Sequence, residues 1–163
     1  MSEIRLRDWL PQDAPFVLEA FAAQDMSAQA AGQITTTQDA LRWIDQWSGL
    51  ENGHAFAIVA GDTVCGNVAV TGIDRHDNGW VSYWTAPRVR GKGVASAGLR
   101  LLTEWAFAER GLFRLELGHR VNNPASCRVA ISAGFLVEGL ERAKLRYDGV
   151  RYDVELHARL ATD

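Results

Sequence analysis

Tyr83-Trp84-Thr85-Ala86-Pro87-Arg88-Val89-Arg90-Gly91-Lys92-Gly93-Val94-Ala95-Ser96 joins an apolar run to a basic, glycine-bearing loop, and an amphipathic segment then continues to about Arg110. The pattern reads as strand, anion-binding loop, helix. Glycines at 91 and 93 let the backbone turn sharply and approach a ligand closely. The first N–H groups of a helix lack internal partners and sit at the positive end of its dipole, so they suit an anion. Arg88, Arg90 and Lys92 add charge at the same place. A phosphate-bearing ligand is expected here.

Two common phosphate motifs fit poorly. A P-loop needs Ser or Thr after Gly-Lys, and Gly93 stands there instead. A dinucleotide fingerprint opens its domain with Gly-x-Gly-x-x-Gly, whereas Gly91-x-Gly93-x-x-Ser96 matches in part and follows several apparent strands. By itself, the hexapeptide Arg90–Ala95 is also compatible with a helix that merely starts on a basic turn.

Working outward, Glu3–Trp9 alternates polar and apolar residues as a half-exposed strand does. Ala14–Ala23 carries a helical apolar stripe, and Gln24–Thr37 shows no period and reads as a loop. A second helix over Leu41, Trp43, Ile44 and Trp47 follows Thr36 or Thr37 as cap, with its tryptophans either packed or lining a cleft. Strands are expected at His54–Ala60, Thr63–Ile73 and Trp80–Ala86, with Gly66 as a bulge or close-approach point and 74–79 as a polar turn. The helix from Val94 stops at Gly111, Phe113–His119 is a strand, and Pro124–Ala133 is a short helix ending at Gly134. Phe135–Tyr147 and Val150–Leu160 complete a βααβββαβαββ order. A right-handed crossover makes the strands either side of the 94–110 helix parallel, with the loop at the carboxyl end of the first.

At 163 residues the chain is expected to be a single domain spanning 1–163. A net charge of −3 argues against broad nucleic-acid binding. No stretch reaches the roughly 18 apolar residues of a membrane span, and the start of the chain lacks a signal-peptide pattern. A cytoplasmic protein is expected. Cys65 and Cys127 have no metal-ligand spacing, so free thiols and no metal are expected.

Order, length and loop together resemble the GNAT N-acetyltransferase superfamily over essentially the whole chain. Arg90-Gly91-Lys92-Gly93-Val94-Ala95 satisfies its Gln/Arg-x-x-Gly-x-Gly/Ala coenzyme loop. Asn123-Pro124-Ala125-Ser126, then Gly134-Phe135 and Glu138-Gly139, is similar to the pattern of the branch holding ribosomal-protein N-terminal acetyltransferases, as is Tyr83-Trp84-x-x-Pro87. The resemblance implies a mixed α/β fold, with a mostly antiparallel twisted sheet of about seven strands, one splayed parallel pair and about four helices. It implies acetyl-CoA as co-substrate and an amine as acceptor, with a homodimer left open.

Residue by residue, it implies that backbone groups of Tyr83, Trp84 and Thr85 pair with the pantetheine arm. Arg90, Gly91, Lys92, Gly93, Val94, Ala95 and Ser96 would hold the pyrophosphate. Asn123 would contact the arm, or cap the following helix, or both. Ser126 would lie near the coenzyme sulfur and protonate the departing thiolate. The family's glutamate five residues before Asn123 is Gly118 here, and its tyrosine seven after is Ala130. Glu116, two residues before Gly118 on the same strand face, is the nearest substitute base. Asp74, His76 and His119 are weaker candidates. Direct attack needs no covalent intermediate, so Cys127 need not be a nucleophile. A non-catalytic CoA-binding sensor of the same fold is the alternative.

Overall fold

The computed structural model describes residues 2–30 and 32–163; Met1 and Ala31, the latter inside the stretch read as a loop, lie outside the described residues. The fold is set by the crossover of β4 (Asn78–Thr85), α3 (Val94–Ala108) and β5 (Arg114–Arg120). β4 and β5 are parallel, yet they pair only at Asn78 with Arg114, Gly79 with Leu115 and Trp80 with Glu116. Beyond Trp80 the two strands part.

Asn78 and Gly79 were expected in a polar turn, and they supply two of those three pairs. The reason is local. The Asp74 carboxylate accepts the N–H groups of His76 (2.8 Å) and Asn78 (3.1 Å), which closes the turn early. The Asp77 carbonyl then accepts the N–H groups of Phe113 and Arg114, so the two strands start side by side.

Around this unit lie β1 (Ile4–Asp8), β2 (His54–Ala60), β3 (Thr63–Thr71), β6 (Leu136–Tyr147) and β7 (Val150–Leu160). They complete a seven-stranded sheet in the order β1-β2-β3-β4-β5-β7-β6. Every neighbouring pair except β4–β5 is antiparallel. Gly66 fulfils both expectations held for it. The register slips opposite it at Ile58/Val59, and a Cβ at 66 would overlap the Trp84 carbonyl and sit 2.9 Å from Thr85 Cα. Only a residue without a side chain lets β3 and β4 come this close.

Helices cover both faces. α1 (Ala14–Phe21) and α2 (Thr37–Asp45) pack with Trp9 and Trp84 on one side. α3 and α4 (Pro124–Ser132) pack with Ile58, Leu115, Leu117 and Phe135 on the other. Thr36 is the α2 cap; its hydroxyl accepts the Asp39 N–H at 3.1 Å. Trp43 is packing, with its ring 5.0 Å from Trp9 and 5.8 Å from Trp84. Within the stretch read as a loop, Gln24–Gln29 forms a 3-10 turn that buries Met26. Among the described residues, no helix is long and apolar enough to cross a membrane.

Candidate active site

After β4 the chain makes a 3-10 turn at Pro87–Val89 and enters α3 through two left-handed residues, Gly91 (φ 73°) and Gly93 (φ 77°). Gly93 is the N-cap, and its carbonyl accepts the Ala97 N–H at 3.0 Å. By helix geometry the N–H groups of Val94, Ala95 and Ser96 then have no internal partner. A Cβ at Gly91 or Gly93 would meet nothing within 4 Å, so the loop's outer face is open.

The three basic residues do not all face that opening. Arg88 turns toward α1, with contacts to Glu19 (3.2 Å) and the Val64 carbonyl (3.2 Å) and its guanidinium 5.4 Å from the Phe16 ring centre. Arg90 is paired with Asp25 at 2.7 Å and reaches the Thr85 carbonyl at 3.4 Å. Lys92 is exposed and has no ion pair among the described residues.

The gap beyond Trp80 has β4 as one wall. Ala86 donates its N–H to Cys65 at 2.8 Å, and the Trp84 carbonyl lies against Gly66. Backbone groups alternate sides along a strand. The main-chain groups of Trp84 therefore face β3, while those of Tyr83 and Thr85 face the gap. Of the three residues expected to present backbone to a ligand, Trp84 is taken up by its neighbouring strand. Its side chain is core, between Phe21 (5.3 Å) and Phe16 (6.2 Å).

Tyr83 contributes its side chain as well, which the backbone-only expectation missed. Its hydroxyl lies 2.7 Å from Ser126 Oγ and donates to the Ser126 carbonyl at 3.1 Å, so it ties β4 to the first turn of α4. Burial pushes the phenol pKa up. Asn123 caps α4, accepting the Ser126 N–H at 3.2 Å, and Pro124 follows as the first helical residue. Ser126 and Asn123 are thus brought together with Tyr83, within one turn of helix.

Glu116 is not part of that group. It pairs with Trp80, and alternation along β4 puts Trp80 and Tyr83 on opposite faces. Glu116 contacts Arg114 at 2.7 Å, and Arg114 also bonds Glu138, whose carboxyl it holds below the usual range. On this face a cleft of about 260 Å³ is lined by Trp80, Arg114, Glu116, Glu138, Glu141 and Lys144. The place of the family's missing glutamate is filled. A Cβ at Gly118 would lie 3.1 Å from Trp80 Cη2 and 2.9 Å from Val154 Cγ1. Ala130, at the family's tyrosine position, is fully buried in the α3/α4 core.

Among the weaker candidates, Asp74 closes its own turn and His76 accepts from Arg75. His119 is buried beside His157 of β7, with Nε2 atoms 3.0 Å apart. His157 and Glu155 escaped the sequence reading, although a strand places residues i and i+2 on one face and could have paired them. The Cys127 thiol is pushed up by burial and by Glu155, so it is a poor nucleophile.

Known proteins are similar to this chain in sequence and in fold. The acetyltransferase (GNAT) domain family model matches residues 3–136. The chain is 30% identical over 141 residues to YdaF of Bacillus subtilis, provisionally named a ribosomal N-acetyltransferase, covering 86% of this chain and 75% of that one. It is 31% identical to the ribosomal-protein-serine acetyltransferase of Escherichia coli, over 68% of this chain and 63% of that protein. The solved structure of RimL, a ribosomal L7/L12 α-N-protein acetyltransferase in complex with coenzyme A, superposes with a TM-score of 0.86 at 21% identity, covering 98% and 95% of the two chains. The chain belongs to the GNAT acetyltransferase family, and it is an acetyl-CoA-dependent N-acetyltransferase.

Proposed function

We propose that the acceptor is a primary amine at a protein N-terminus, acetylated by direct attack in a ternary complex. The observation that carries the site assignment is the early parting of β4 and β5. It leaves a gap with an open, amide-rich loop at one end and the Tyr83–Ser126 pair along its wall. The pyrophosphate binds the free N–H groups of the loop, with Arg90 and Lys92 at its edge. The pantetheine arm extends β4 as a further strand would, on the main-chain groups of Tyr83 and Thr85, and beside Asn123.

The amine enters through the cleft over Trp80, the last residue paired with β5, so it meets the gap where the strands part. Three carboxylates in that lining, Glu116, Glu138 and Glu141, outnumber its two cations, Arg114 and Lys144, and this net negative charge suits a cationic amine. The amine must lose a proton to attack, and Glu116 is the carboxylate proposed to take it through water. Nitrogen attacks the thioester carbon and the carbonyl oxygen gains charge, which a gap-facing N–H of β4 stabilises. The C–S bond then breaks, and the thiolate takes a proton from Ser126 Oγ, which regains one from solvent water, with Tyr83 as the hydroxyl's hydrogen-bond partner. Positioning and oxyanion stabilisation supply most of the acceleration. The relatives' names, a ribosomal N-acetyltransferase and a ribosomal-protein-serine acetyltransferase, support a protein as acceptor, that of RimL, an α-N-protein acetyltransferase, supports its N-terminus, and the family match does not favour the non-catalytic reading.

The test is thiol release from acetyl-CoA, with product mass, against peptides with free N-termini, the same peptides blocked, and spermidine. Free N-termini are expected to be acetylated and blocked ones not. Preference for spermidine would reject the acceptor; no acetylated product from any amine would reject the function.

A further inference from the structure

Four side chains with metal-binding atoms converge at one point that the acetyl-transfer reading leaves unexplained. His119 is the next-to-last residue of β5, Cys127 lies in the first turn of α4, and Glu155 and His157 stand two apart on β7. The β5–β7 register pairs His119 with Glu155 and Leu117 with His157, so all three strand residues share the face that α4 covers. One atom from each of the four lies within 4.8 Å of all the others. His157 is fully buried and His119 nearly so, while Cys127 and Glu155 are half-buried.

Four of the six separations are close to those of a coordination shell, and all six lie within 4.8 Å. His119 Nε2 and His157 Nε2 are 3.0 Å apart, His157 Nε2 and Glu155 Oε1 3.0 Å, His119 Nε2 and Glu155 Oε1 3.4 Å, and Cys127 Sγ and Glu155 Oε1 3.6 Å. Ordinary zinc bond lengths in a tetrahedron put nitrogen and oxygen ligands about 3.3 Å apart and either about 3.6 Å from sulfur.

One ring nitrogen stands between two acceptors. His119 Nδ1 lies 2.9 Å from the Arg120 carbonyl, which can only accept, so the imidazole proton sits there and Nε2 offers a lone pair. His157 Nε2 faces both that lone pair and Glu155, at 3.0 Å each, and a single N–H cannot point squarely at both. Its Nδ1 is buried and has no partner among the described residues, so no hydrogen bond there fixes the tautomer.

We infer that His119, Cys127, Glu155 and His157 bind one Zn²⁺ ion in a tetrahedral site. On binding, the Cys127 S–H proton leaves to solvent, and thiolate plus carboxylate then balance the two positive charges of the ion. Two nitrogens, a sulfur and an oxygen in a tetrahedron suit zinc better than magnesium or calcium, which prefer all-oxygen shells. Four protein ligands leave no open position, so the ion is structural. It pins α4, one residue beyond Ser126, to β5 and β7. Sequence spacing missed the site because its ligands come from three separate elements.

The experiment uses the full chain, produced with zinc present and dialysed against metal-free buffer, with metal counted by atomic emission. About one zinc per chain is expected. Replacement by Co²⁺ is expected to give intense tetrahedral d–d bands and a thiolate-to-cobalt charge-transfer band. Cys127→Ser should abolish the charge-transfer band and weaken retention at least about tenfold, and His157→Gln should weaken retention similarly. Cys65→Ser, on the β3 strand, should change neither. Wild-type protein that holds no stoichiometric zinc overturns the inference whatever the variants do. So does a cobalt complex without the charge-transfer band, or Cys127→Ser with undiminished retention.

Discussion

Gly93→Val separates the loop's role in the fold from its role toward the ligand. Gly93 sits at φ 77°, a conformation that costs a residue with a Cβ about 1–2 kcal/mol. Nothing lies within 4 Å of the added Cβ, so there is no clash to relieve in the free protein. At about 2–4 °C per kcal/mol for a chain of this size, melting should fall by roughly 2–8 °C. Gly111, past the far end of α3, is a matched control, because its φ is 74° and its Cβ site is equally open. Gly111→Val should lose similar stability. Only the valine at 93 projects its methyls in front of the free N–H groups of Val94–Ser96. Loss of two charge-assisted hydrogen bonds at about 1.5–3 kcal/mol each removes about 3–6 kcal/mol of binding. That corresponds to a hundred- to ten-thousand-fold weaker CoA affinity, to order of magnitude. Calorimetric titration with CoA is the assay. Equal CoA affinities in the two variants would refute the assignment of the loop.

Three further outcomes are expected. Ser126→Ala should lower turnover at least about tenfold at unchanged coenzyme affinity, since it removes a proton donor and not a binding contact; equal turnover in steady-state thiol release would take Ser126 out of the mechanism. Gly66→Ala should destabilise the chain by about 1–3 kcal/mol through overpacking against the Trp84 carbonyl, and a melting point within 1 °C of wild type, about a quarter of a kcal/mol or so, would contradict the close approach of β3 and β4. Asp39 is held down to about 2, chiefly by the Thr35 N–H and then the Thr36 hydroxyl group's bond. Its folded value is below its unfolded one, so the stability it adds is complete above about pH 4 and is lost as pH falls toward 2. Asp39→Asn should therefore show a shallower fall in melting temperature across that window, and parallel curves for the two proteins would dismiss the cap as a contributor.

What could be read in the sequence was what is local. The loop from Arg90 to Ser96 announces itself because glycine, charge and a helix start fall within seven residues. Asn123 and Ser126 are legible for the same reason, being a cap and a first-turn residue of one short helix. The parallel β4–β5 pair was legible from its crossover helix, but the side chains that meet across the sheet were not. Tyr83 meets Ser126 over 43 residues of chain, and His119 meets His157 over 38. Register decides which side each backbone group faces, so Trp84 and Tyr83 exchange roles on a shift of one residue. Gly118 looked like the loss of a base, and only the position of Trp80 shows that a ring fills the space. Arg88 looked like a phosphate ligand until Glu19 and Phe16 were seen beside it.

The central claim is that the gap between β4 and β5 holds acetyl-CoA, and thermal unfolding with added ligand tests it most directly. Acetyl-CoA at 100 times its dissociation constant adds about 2.7 kcal/mol, which raises the melting point by roughly 5–10 °C. Free CoA should give a comparable rise and NAD none. A melting point that moves with neither acetyl-CoA nor CoA, or moves equally with NAD, would contradict the account.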